Sequence, residues 1–211
     1  MEKSNRRLIA EEVIVREAKY SDITQSIAVH EAAFPGFFLT QLGAKFLKQL
    51  YLGFLEMPSA IFLVAEKDNQ VIGFVAGTTN PNAHFSQLLK ERWYRFLLAS
   101  VGGLFKNPIF VMQKCLSAFI YKGENPEQIE NATLLSSIAT LPEFEGQGVG
   151  RILTSEFIVE CKNQNVEWLY LTTDRVGNDS VNAFYLKNDF KIESSFRKTG
   201  NREMNRYVKK I

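Results

Sequence analysis

The chain has 211 residues, 45% of them hydrophobic, enough to bury a core of its own and too many for an intrinsically disordered chain. Its 25 basic and 23 acidic residues leave a net charge of +2, which argues against the concentrated basic face of a nucleic-acid binder. The two cysteines, Cys115 and Cys161, stand far apart with no Cys-x-x-Cys or histidine spacing around them, so neither a zinc site nor a disulfide framework is expected.

Met1 to Ala10 carries charge and is not followed by an apolar stretch, so a secretory signal is not expected and the compartment reads as cytoplasmic. Val13–Arg16 reads as a strand, and Ser21-Asp22 offers a cap for a helix reaching Ala33. After Pro35-Gly36, apolar residues from Phe38 to Phe54 recur at three-and-four spacing, which predicts one amphipathic helix ending near Met57-Pro58. Ala60–Glu66 and Val71–Thr78 are β-rich runs joined by the polar segment Lys67 to Gln70, the pattern of an antiparallel hairpin.

From Pro81 to Gln128 the pattern turns helical and rich in aromatic and basic residues, among them Trp93, Tyr94, Phe96, Phe105, Phe110 and Phe119, and it reads as an insertion into a single domain. Its longest uncharged run, Phe96 to Phe105, is about half the roughly 20 residues that a transmembrane helix needs. Thr133–Thr140 is again strand-like, Val149–Lys162 helical, Val166–Thr173 a strand and Ser180–Lys187 a short helix. Phe190 to Lys209 reads as two further strands around a turn at Gly200-Asn201.

The most informative stretch is the strand ending Ile138-Ala139-Thr140, followed by Leu141 to Phe144, then Glu145-Gly146-Gln147-Gly148-Val149-Gly150-Arg151, then an apolar-periodic helix. Glycines at a helix start let the backbone approach a ligand, and the unpaired N–H groups of the first turn point outward, which makes an anion site; a plain tight turn uses the same residues. Gly-x-Gly-x-x-Gly is absent, since Gly146, Gly148 and Gly150 alternate, and no Gly-Lys-Ser/Thr follows, so neither a dinucleotide fingerprint nor a P-loop is present. Further on, Asp174 to Tyr185 contains an Asn178-led short helix that ends in Phe184-Tyr185, followed by Phe190 and a strand.

Glu145 to Gly150 resembles the Arg/Gln-x-x-Gly-x-Gly/Ala signature of the GCN5-related N-acetyltransferases (GNAT), and Asn178 to Phe190 resembles that family's second signature. Glu145 departs from it at the position where the family has Arg or Gln. A carboxylate beside a pyrophosphate would repel it, so Glu145 is expected to face solvent. The resemblance covers most of the chain outside the insertion and implies an α/β fold with a mixed, mostly antiparallel sheet flanked by helices. It implies acetyl-CoA as co-substrate, with its pyrophosphate on the amides of Gly146, Gln147, Gly148, Val149 and Gly150, and Arg151 or Gln147 as polar contact. By position, Ile138, Ala139 and Thr140 would pair with the pantetheine arm, Asn178 would touch that arm, and Tyr185 would stand beside the sulfur.

Phenol and thiol acidities, about 10 and 8.5, make full proton transfer from Tyr185 to a thiolate uphill by roughly 2 kcal/mol, so its hydrogen bond matters more than the transfer. Four candidates for the base stay open, Glu130, Asp174, His30 and His84, beside a water-relayed route. Neither cysteine sits in a nucleophile motif, so transfer would be direct and metal-free. The acceptor wall is expected from Pro35 to Leu42 and from the insertion. Aromatics and few acids there favour an amino sugar or sugar nucleotide over a polyamine. A reading from another class is a non-catalytic CoA-binding or membrane-surface module, motivated by Arg92, Arg95, Lys106 and Lys114 among the insertion's aromatics.

Overall fold

The computed structural model describes residues 12–106, 129, 132–198 and 201–211. Strands β1 (Ile14–Glu17), β2 (Ala60–Lys67), β3 (Gln70–Thr78), β4 (Ala132–Thr140), β5 (Trp168–Asp174), β6 (Lys191–Lys198) and β7 (Arg202–Lys210) form one sheet in the order β1-β2-β3-β4-β5-β7-β6. Every pairing is antiparallel except that of β4 with β5. Helices are α1 (Ile23–Ala33), α2 (Phe38–Leu42), α3 (Ala44–Glu56), α4 (Pro81–Lys106), α5 (Val149–Asn163) and α6 (Asp179–Lys187). The expected mixed, mostly antiparallel sheet flanked by helices is the architecture found.

β2 and β3 are buried on both faces, which is why they read as near-continuous apolar runs. Phe62, Val64, Phe74 and Ala76 face α1, α3 and α4; Ile61, Leu63, Ala65, Ile72 and Val75 face α5. The β2–β3 turn is only two residues long, with Asp68 and Asn69 at φ of 51° and 62°, the backbone that suits the twist of a tight hairpin.

Two local expectations change. The helix expected over 38–54 is two helices, because Gly43 adopts φ of 88° between them and its side-chain-free backbone turns the chain. Asp22 does not cap α1 through its side chain. Its buried carboxylate instead accepts Lys19 N–H at 2.7 Å and the Arg16 guanidinium at 2.6 and 3.0 Å, and Arg16 also reaches Glu66. Thus β1, β2 and the start of α1 are tied together, and the Arg16 hydrogen bonds hold the Asp22 carboxyl below its usual range.

The stretch read as an insertion begins with one 26-residue helix as far as Lys106, while 107–128 with Cys115 lie outside the described residues, as do Glu130 and Gly200. α4 packs on α2 and α3: Leu88 fills the space over Gly53, Phe96 meets Phe46 at 4.8 Å between ring centroids, and Arg92 pairs with Glu56. Its Trp93 and Tyr94 rings are about half exposed.

His30 on α1 and His84 on α4 are both buried in this layer, and burial pulls each imidazole from 6.5 down to about 4. A folded pKa below the unfolded one means that the unfolded chain takes up the extra protons, so stability is full above pH 6.5 and lost as pH falls toward 4. The loss is up to roughly 3 kcal/mol per ring. Among the described residues neither His84 nitrogen has a hydrogen-bond partner. His84→Phe is therefore expected to fold and to lose less stability than the parent between pH 7 and 4.5 in urea melts. Equal losses in the two proteins would contradict it.

Candidate active site

The site begins where β4 leaves β5. Among the described residues only Ala132, Thr133 and Leu134 pair with Trp168, Leu169 and Tyr170, after which the two strands part although both continue for several residues. On the other side of β4, the register against β3 shifts between Ala76 and Gly77, leaving Ser136 without an opposite partner, which is a β-bulge. Gly77 makes this possible: a Cβ there would stand 2.3 Å from Leu134 O and 2.4 Å from the Phe157 ring. Ser136 is exposed and Ser137, Ile138 and Thr140 are partly so, unusual for a central strand and the direct result of the gap. Ala139 is buried on the α1–α3 side.

β4 then runs into Leu141, a single 3-10 turn (Pro142–Phe144) and the glycine loop. Gly146 and Gly148 take φ of 72° and 93°, and Gly148 caps α5 in the left-handed region where a side chain is strained. The first helical bond runs from Ile152 N to Gly148 O at 3.1 Å, so the N–H groups of Val149, Gly150 and Arg151 precede it and have no helical acceptor. They lie at the positive end of a 15-residue helix, the arrangement that favours an anion. Gln147 Nε2 donates to Glu143 O at 2.6 Å, while its Oε1 is buried with no partner among the described residues. Glu145 is exposed, as expected, and so is Arg151, which lines a surface basin of about 570 Å³ with Lys187 and Lys209.

The second half of the site is held by two asparagines. Asn178 Nδ2 donates to Thr173 Oγ1 at 2.8 Å and to Asp174 O at 3.1 Å, so its amide is spent on fixing the end of β5. Asn182, which sequence reasoning passed over, donates to Asp174 O and Asn178 O and accepts from the Tyr207 hydroxyl at 2.8 Å. It ties β5, α6 and β7 together, and only its place one turn into the helix after Asn178 could have flagged it.

Tyr185 lies in the cluster that also holds Val149, Leu135 and Leu171, its ring enclosed by Phe184, Phe190 and Tyr207 at 5.2–5.5 Å between centroids. Its hydroxyl donates to no described residue, and burial, with Tyr207 nearby, pushes its pKa well above the usual phenol value. It therefore keeps its proton at neutral pH. Asp189, after it, takes φ of 63°, so the chain reverses into β6 at a position that glycine would fill more easily.

Of the candidate bases, Asp174 is held by Arg202 at 2.6 and 3.0 Å, and both histidines are buried and neutral. Cys161 is buried, its thiol pushed up to about 12, and is no nucleophile at neutral pH. Among the described residues no helix is long and apolar enough to cross a membrane.

At Gly150 an added Cβ would meet only the Phe184 ring, at 3.6 Å, so Gly150→Ala fits the fold, whereas a helical Cβ tilts toward the N-terminus and into the anion seat. Its dissociation constant for acetyl-CoA should rise by about tenfold or more with an unchanged melting temperature. Titration calorimetry on the folded variant checks this, and wild-type affinity would remove the loop from the site.

Residues 113–190 match the model of the acetyltransferase (GNAT) family. No curated protein matches the sequence. Among solved structures, a ribosomal-protein-alanine N-acetyltransferase from Brucella melitensis superposes with a TM-score of 0.63 at 16% identity, covering 94% of this chain and 99% of that one. The PaiA N-acetyltransferase of Thermoplasma acidophilum, in complex with coenzyme A, gives 0.59 at 17% identity over 94% and 99%. A GNAT acetyltransferase from Streptococcus pneumoniae gives 0.58 at 15% identity over 95% and 99%. Residues 113–190, which hold β4, the glycine-capped α5, β5 and α6, thus carry the match to the GNAT family model, and the fold of the whole chain is that of these solved acetyltransferases.

Proposed function

We propose that the protein transfers the acetyl group of acetyl-CoA directly to the amine of a small acceptor. The observation that carries this is the gap between β4 and β5 opening beside the unpaired amides at the start of α5. A pyrophosphate on those amides would leave the pantetheine arm to run along Ile138, Ala139 and Thr140, where an extended ligand with its own amides can pair with strand backbone that β5 has left. Asn178 would meet the arm through its side-chain oxygen, since its NH₂ group is engaged. Tyr185 would donate to the leaving sulfur as negative charge grows there. The acceptor loses its proton to solvent water.

For the acceptor we favour an amino sugar or sugar nucleotide. Its support is the Phe37 ring, about half exposed at the turn between α1 and α2 and packed on Phe34, a face on which a sugar ring can stack. The second expected wall carries less weight, because the buried side of α4 faces α2 and α3. Thiol release with glucosamine, spermidine and an alanine-initiated peptide ranks the classes. Preference for the peptide would replace the sugar reading with a protein amino terminus.

Tyr185→Phe keeps the ring and removes a hydroxyl that donates to no described residue. Melting temperature and acetyl-CoA affinity should hold while the single-turnover rate falls by about 10²–10⁴. Normal single-turnover chemistry would exclude Tyr185 from the mechanism.

A further inference from the structure

The two asparagines of α6 use their side chains in opposite ways. Asn182 Nδ2 lies 2.8 Å from Asn178 O and 3.0 Å from Asp174 O, and because a backbone carbonyl only accepts, the orientation of this amide is unambiguous. Its Oδ1 then accepts the Tyr207 hydroxyl at 2.8 Å and Asn205 Nδ2 at 3.3 Å. Asn205 and Tyr207 stand two positions apart on one face of β7, so the strand grips the amide from two points. Asn205 is itself held, since its Oδ1 accepts Ser195 Oγ of β6 at 2.7 Å. A directed ladder of side chains thus runs from β6 through β7 and α6 to the carbonyl at the end of β5.

Asn178 is the N-cap of α6. An asparagine there ordinarily accepts a first-turn N–H through its side-chain oxygen, yet Asn178 makes no such bond. Its amide is turned back to β5, Nδ2 donating to Thr173 Oγ1 at 2.8 Å and to Asp174 O at 3.1 Å. Among the described residues nothing donates to its Oδ1, so the cap is forgone and the oxygen stays available. The Asp174 carbonyl that holds Asn178 in this pose is the same one that Asn182 binds, and Asn182 binds the Asn178 backbone as well.

We propose that Asn182 is a positioning residue for the pantetheine arm: by fixing Asp174 O and Asn178 O it keeps the Asn178 side chain off its own helix, with Oδ1 free to accept an N–H of the arm. This rests on the acetyl-transfer reading. The arm carries two amides, so an acceptor oxygen at the end of β5 has an N–H to meet. Without Asn182, the turn from Asp174 to Asn178 loosens and Asn178 can swing round to cap α6, which spends the oxygen within the protein.

Asn182→Ala removes every bond of the amide, and Tyr207→Phe removes one while keeping the ring. Titration with acetyl-CoA and with ADP, which has a pyrophosphate and no arm, separates the arm from the anion seat. The acetyl-CoA dissociation constant should rise about tenfold in Asn182→Ala and about threefold in Tyr207→Phe, with ADP affinity unchanged in both. At saturating acetyl-CoA the single-turnover rate should hold. Because the effect runs through Asn178, the Asn178→Ala/Asn182→Ala double variant should bind acetyl-CoA no more weakly than Asn178→Ala alone. Wild-type acetyl-CoA affinity in Asn182→Ala, equal losses for acetyl-CoA and ADP, or additive losses in the double variant would overturn the proposal. If Asn182→Ala does not fold, wild-type acetyl-CoA affinity in Tyr207→Phe overturns it instead. A wild-type protein that binds no acetyl-CoA would overturn the transfer reading itself, whereas one that binds it and fails only in these variant tests sinks this inference alone.

Discussion

Backbone groups inside a sheet are paired by neighbouring strands, and a central strand that loses its neighbour must find other partners. β4 is in that position after Leu134, where β5 departs and the Ser136 bulge re-aims the strand. The bulge in turn depends on Gly77, since any side chain there would strike the Leu134 carbonyl and the Phe157 ring. One glycine facing one extra residue therefore opens a gap in the middle of a seven-stranded sheet. The edge exposed in the gap lies within the fold, not at its rim.

The rest of the site is arranged around that gap. The glycine loop brings the N-terminus of α5 to one end of it, with positive-φ glycines turning the chain tightly enough to leave the first-turn amides free. On the other side, β5 needs support where β4 has left it. Asn178 and Asn182 supply this by binding the Asp174 carbonyl from α6, and Tyr207 locks Asn182 from β7. The enclosure of Tyr185 by Phe184, Phe190 and Tyr207 follows from the same packing, and burial keeps its phenol protonated.

The opposite layer is less economical in apolar terms. His30, His84 and Ser26 leave buried polar atoms without partners among the described residues, a cost that a purely apolar core would avoid. His84 stacks on Phe54 at 4.7 Å and links α4 to α3, whereas His30 on α1 lies 2.6 Å from the Tyr51 hydroxyl on α3. α4 thickens this layer over α2 and α3.

Periodicity and turn chemistry were enough to read the strands, the hairpin, α5, α6 and the glycine loop, because each is set by local spacing or by residues such as Gly146 and Gly148 that act on their own backbone. The same local signals read α2 and α3 as one helix, since the apolar spacing runs through Gly43 and only its left-handed backbone shows the break. Long-range pairing was not legible. The Ser136 bulge depends on Gly77 about sixty residues earlier in the chain, and Asp22 joins Arg16 and Glu66 instead of capping its helix because folding brings β2 beside β1. Likewise Asn182 and Tyr207 meet only when β7 inserts between β5 and β6. Sequence thus determined which segments carry the chemistry, through residue types acting over a few positions. Only the tertiary structure decided which side chains are engaged, because hydrogen-bond partners and burial arise from contacts between segments distant in the chain.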